Sequence, residues 1–151
     1  MKRGIFLMLT LLLISSFCGC NSSKIVVETF TNLNIQIFED QNSISLIKNR
    51  SDLITYCDDI QVEQYDDDFK SQMMSYDENF FETKMLVFLY YWETTDSSEL
   101  SIKEVTTKDN SVNVSIERDV PKIVSDTMKD YFFIIEVQQD TNCSSATYEI
   151  K

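Results

Sequence analysis

The chain has 151 residues with 25 acidic and 13 basic side chains, a formal net charge of −12, and no histidine, two glycines and one proline. Without histidine it lacks the usual general base of hydrolytic triads and the commonest metal ligand, and its charge sets it against nucleic acid, whose phosphates would have to approach against a like field. Both glycines, Gly4 and Gly19, lie near the start, so the rest of the chain can build neither a glycine-rich phosphate loop nor a dinucleotide fingerprint.

The first twenty residues read as a targeting segment. Lys2 and Arg3 give a positive start, and residues 5–14 form an apolar run of about ten residues, too short to span a ~30 Å hydrocarbon core as a helix. Phe17-Cys18-Gly19-Cys20 then resembles the lipobox of bacterial prolipoproteins. Gly19 presents almost no side chain before the cut, and Cys20 is the thiol expected to take a diacylglycerol thioether and palmitate-class acyl chains. Each buried CH₂ contributes about 0.8 kcal/mol, so two or three chains hold durably where one is marginal. The expected organisation is a signal peptide over 1–19, a lipidated tether over 20–24 and a single domain over 25–151, on the extracytoplasmic face of a bacterial cell membrane. Cleavage removes two basic residues and no acidic one, so the mature chain is still more negative.

Leu33, Ile35 and Ile37 alternate with polar residues, the period of a half-buried strand. Ile44, Leu46 and Ile47 suggest a second, short one. Ser51 is placed to cap a helix that ends near Asp59, with Leu53, Ile54 and Cys57 on its apolar face. Residues 58–68 form the densest acidic stretch, but they lack the ordered ligands, glycine and terminal glutamate of a calcium loop and read as a solvated loop, with cation binding as an alternative. Ser75 and Glu78 have capping-box spacing, which predicts a short helix running into residues 84–92, an apolar run suited to a central strand covered on both faces.

Three further strands are predicted over 100–107, 111–118 and 132–137, in an antiparallel pattern. Turns 94–98 and 108–110 suit hairpins, Pro121 ends a strand, and residues 147–150 add an edge strand. Met73, Met74 and Met85 fit gap-filling in the core or a loose partner surface. The fold class is α+β, with a mainly antiparallel sheet of five to six strands and two short helices. Phe80, Phe81, Leu86, Phe88 and Phe133 are expected in one core.

Cys57 and Cys143 permit a disulfide outside the cell, but a count of two does not establish one, and no spacing supports a metal site. The only catalytic constellation the residues offer is a carboxylate pair, Asp77 or Glu78 with Asp67 or Asp68, needing carboxyls ~5–9.5 Å apart. Helix-dipole complementarity accounts for these residues more simply. Neither a catalytic residue nor a cofactor or metal is therefore expected.

Tyr76-Asp77-Glu78-Asn79-Phe80-Phe81, the strand from Met85, Ile102 to Val105, Val112 to Glu117, Pro121 and Phe132 to Val137 together resemble a family of small secreted bacterial lipoproteins. That family is related to the C-terminal domain of the protease complex subunit PrcB, and the likeness covers roughly residues 43–138. The resemblance implies an accessory, noncatalytic domain supporting a surface protease or another envelope protein. Its partners would be the membrane, through the lipid, and a protein, with no nucleic acid.

Overall fold

The computed structural model describes residues 25–33, 35, 41–93, 98–120 and 128–151. The lipobox with Cys20, most of the 33–37 segment, the 94–97 turn and Pro121 lie outside the described residues. The fold is α+β. Its strands are β1 (Val26–Thr31), β2 (Ser43–Ile47), β3 (Lys84–Glu93), β4 (Glu99–Lys108), β5 (Ser111–Asp119), β6 (Lys129–Gln138) and β7 (Ser145–Ile150). Its helices are α1 (Arg50–Asp59), α2 (Asp67–Ser75) and α3 (Glu78–Thr83), with a single 3₁₀ turn at Val62–Gln64.

The strands form two sheets rather than the one expected, ordered β1-β6-β3-β2 and β4-β5-β7. All pairs are antiparallel except β5 with β7, which run parallel. β3 and β6 carry apolar residues on both faces, as central strands must when both faces are covered. Leu86, Phe88, Tyr90, Phe132 and Ile134 face the helices, where they meet Leu53, Cys57, Phe69, Met73 and Phe81. Met85, Val87, Leu89, Phe133 and Ile135 face the second sheet, packing on Val112, Val114 and Ile116. The alternation thus builds two cores in a helix–sheet–sheet sandwich, and Phe133 lies in the opposite core from Phe81, Leu86 and Phe88.

Local signals correct several expected boundaries. α1 is capped by Asn49, whose side chain accepts from the Asp52 amide at 2.8 Å, so Ser51 lies inside the helix. Ile54 is 49 % exposed, leaving Leu53 and Cys57 as the buried face. Part of the acidic stretch is helical: Asp66 accepts from the Phe69 amide at 2.8 Å and starts α2, whose Met73 is buried and Met74 exposed. Ser75 ends α2, its hydroxyl donating back to the Gln72 carbonyl, while Asp77 caps α3 through the Phe80 amide at 2.9 Å. The capping box expected from Ser75 and Glu78 is therefore not formed.

With no glycine after residue 19, tight turns fall to asparagine and aspartate. Asp109 and Asn110 both take left-handed φ values, 53° and 62°, the geometry of a two-residue hairpin whose twist matches its strands. The β4–β5 hairpin closes there. Its turn is tied to the start of β7 by the Ser144 amide donating to the Asn110 carbonyl at 2.9 Å. Lys48, just after β2, donates to the Cys143 carbonyl at 2.6 Å and so fastens the same corner to the first sheet.

Candidate functional site

The second sheet turns one face to solvent. Along β5, Val112, Val114 and Ile116 point into the core, so Ser111, Asn113 and Ser115 point outward. Serine and asparagine fit poorly in a central strand, where β-branched and aromatic residues pack best. Here they form the floor of an open recess of about 760 Å³.

Register across the three strands sets the walls. Ser115 is the Cα partner of Glu104 on β4 and of Glu149 on β7, Asn113 of Thr106 and Thr147, and Ser111 of Lys108 and Ser145. Short side chains on the middle strand between longer ones on its neighbours make a trough that follows β5. Thr147 Oγ1 donates to Asn113 Oδ1 at 2.7 Å, which fixes the middle of the floor and leaves the Asn113 amide group to donate to the Ser111 carbonyl at 3.3 Å.

Electrostatics at one end are set by two lysines. Lys151 hydrogen-bonds Glu149 at 2.7 Å, and that bond with the ammonium charge holds the carboxyl below the usual carboxylate range. Lys103 pairs with Glu117 at 3.0 Å. Ser115 is only 5 % exposed, and its Oγ makes no hydrogen bond, although it stands near enough to Glu149 to help keep that carboxyl ionised.

β4 is also an edge. It pairs with β5 on one side, and among the described residues no strand pairs with the other. Its register shifts between Ile102 and Glu104, a bulge at Lys103, so charge and twist limit which strand could add there.

The carboxylates singled out from sequence lie elsewhere, on the helical layer. Asp67 and Asp68 begin α2, where Asp67 pairs with Lys70 at 2.9 Å, and Asp77 and Glu78 begin α3 just past the end of α2. The two pairs thus stand at the starts of successive helices, with most of the nine-residue α2 between them. The Lys70 hydrogen bond and charge lower the pKa of Asp67, which keeps it ionised. Among the described residues no group of three or more His, Cys, Asp or Glu side chains is placed to hold a metal ion.

Cys57 and Cys143 are free, and both are buried. Cys57 packs among the helices and Cys143 between the sheets, on opposite faces of the four-stranded sheet, so the bridge that two cysteines permit is not formed. Burial is the main cause that pushes the Cys57 thiol up to about 11, the reverse of what a nucleophilic thiol requires.

The recess was not among the sites expected from sequence. Its signal was present in Ser111-Val112-Asn113-Val114-Ser115-Ile116, where short polar residues rather than long charged ones alternate with the core positions. The partners that wall it come from β7, through a parallel pairing that no local pattern announces. Searches with this chain match no protein-family model, no curated protein and no solved structure.

Proposed function

We propose that this chain is an extracytoplasmic lipoprotein, held to the bacterial membrane through Cys20, whose domain works by binding as an accessory to another envelope protein. The observation that carries the reading is the open outer edge of β4, ten residues long and paired on one side only among the described residues. An exposed edge offers backbone donors and acceptors to an added strand, and the Lys103 bulge with its flanking charges favours a partner of matching pattern. The carboxylates of α2 and α3 already have local structural roles as caps, first-turn charges and a lysine partner. The likeness to PrcB-related lipoproteins points the same way, with a surface protease as one class of partner.

Photo-crosslinking in intact cells tests this. A benzophenone side chain at Thr107 on β4 should give a discrete protein adduct that the same group at Ser51 on α1 does not. Absence of any adduct from Thr107, with the protein correctly exported, would remove the strand-addition reading.

A further inference from the structure

We infer that the trough along β5 is a binding site for a neutral, linear polyhydroxyl chain, a glycan segment, separate from the β4 edge. Three observations converge on the trough. Its floor is made of Ser111, Asn113 and Ser115, residues that weaken a central strand and therefore run against the fold's own preference at this place. The Ser115 hydroxyl is buried in that floor with no hydrogen bond, a polar group that gains by meeting a ligand hydroxyl. The walls supply Thr106, Thr147 and Glu149, so donors and acceptors alternate along both sides.

The same chemistry excludes other occupants. An apolar ligand would desolvate hydroxyls and carboxylates without pairing them. A polyanion would meet Glu104 and Glu149 on a strongly acidic chain, and a bare cation finds at Glu149 an ammonium, Lys151, already in place. A sugar hydroxyl both donates and accepts. It can donate to Glu149 or to the Asn113 side-chain oxygen and accept from the Ser115 hydroxyl. From Ser111 to Ser115 the floor extends about 13 Å along the strand, room for two or three sugar rings in line. No aromatic side chain of the floor offers a stacking surface, since Tyr148 turns inward against Tyr91, so binding is weak per site and suits a repeating polymer.

Saturation-transfer difference NMR on the full chain, in a zwitterionic detergent free of sugar headgroups, tests the site. The probes are four neutral tetrasaccharides: chitotetraose, cellotetraose, maltotetraose and mannotetraose. At least one should show saturation transfer, and Asn113→Leu, which fills the floor, should weaken it about tenfold or more, the loss of roughly one good hydrogen bond. Ser115→Ala removes the hydroxyl without adding bulk and serves where Asn113→Leu fails to fold, as read by its thermal unfolding midpoint. No transfer to any of the four probes overturns the proposal, and so does transfer unchanged in whichever of these variants is folded. A protein adduct at Thr107 without glycan binding would sink the trough alone, and glycan binding without the adduct would sink only the accessory reading.

Discussion

Arg118 Nη2 donates to Glu93 Oε1 at 2.6 Å, a bond between the end of β5 in one sheet and the end of β3 in the other, with the Glu93 side chain only 2 % exposed. The half-exposed guanidinium is a partner of a carboxylate otherwise taken out of water. Arg118→Ala leaves the charge buried and should cost about 1–3 kcal/mol, seen as a lower urea midpoint at unchanged slope. Replacing both partners, Glu93→Leu with Arg118→Met, should recover most of the loss, because the uncompensated charge has gone too. A double variant as weak as Arg118→Ala would show that the pair does more than neutralise itself.

The caps give a sharper contrast. Asp66 and Asp77 accept from the Phe69 and Phe80 amides, whereas Ser75 closes α2 and caps nothing. Asp66→Ala and Asp77→Ala should each cost about 1 kcal/mol, and Ser75→Ala should stay within about 0.5 kcal/mol. Chemical denaturation of the three variants checks the order. The reverse order would restore the capping box that the sequence spacing suggested.

These cases show where sequence patterns carry structure and where they stop. β3 and β6 were legible because strands buried on both faces read as continuous apolar runs, and β5 because Val112, Val114 and Ile116 alternate with polar residues. β1 was missed, since Val26-Val27 breaks the period of two and the strand is an edge paired only with β6 among the described residues. Helix starts slipped by two residues because Asn49 and Ser51, or Ser75 and Asp77, are equally able caps, and only the packed chain decides between them. The division into two sheets, the parallel β7 and the trough arise from pairings distant in sequence, which local periodicity does not encode.

Two cores on opposite faces of one sheet make a prediction about neighbours. The Phe88 and Phe132 rings lie 5.5 Å apart in the helix-side core, while Phe133, the next residue along β6, packs between the sheets. A double-mutant cycle of Phe88→Leu with Phe132→Leu should show coupling of about 0.5–1.5 kcal/mol. The cycle with Phe133→Leu should be additive within about 0.5 kcal/mol. Equal coupling in both cycles would mean that strain crosses the sheet and the cores act as one.

The cysteines test burial and pH together. Native protein at pH 8 should resist iodoacetamide at both Cys57 and Cys143, and unfolded protein should take two labels at these positions without prior reduction. Below pH 9 the Cys57 thiol is protonated whether the chain is folded or not; between 9.0 and about 11 only the unfolded chain ionises it, so stability falls as pH rises through that window. Tyr76, raised by burial from 10.0 to about 12, extends the fall upward. Cys57→Ala should flatten the lower part of this decline in denaturation series from pH 8 to 11. A slope that the variant leaves unchanged would assign the alkaline loss to the tyrosines.

The anchor is tested most directly at Cys20. The apolar run of residues 5–14 ends too soon to span a bilayer, and among the described residues no helix is long and apolar enough to cross one. On the proposed reading, retention depends on acyl chains carried by a single sulfur. From Cys20 to Ile25 the covalent chain reaches at most about 18 Å, so a lipid on Cys20 would hold the domain within a short distance of the bilayer surface. Cys20→Ser should move the protein from the membrane pellet to the soluble fraction, and the mature parent should begin at residue 20 with the added mass of a diacylglycerol thioether. Cys18→Ser should leave both results unchanged, because bulky Phe17 would precede a cut there while Gly19 precedes the cut at Cys20. A parent whose mature N-terminus is unmodified, or a Cys20→Ser variant that stays in the pellet after high-salt and carbonate washes, would show that the protein is held by something other than a lipid at this position.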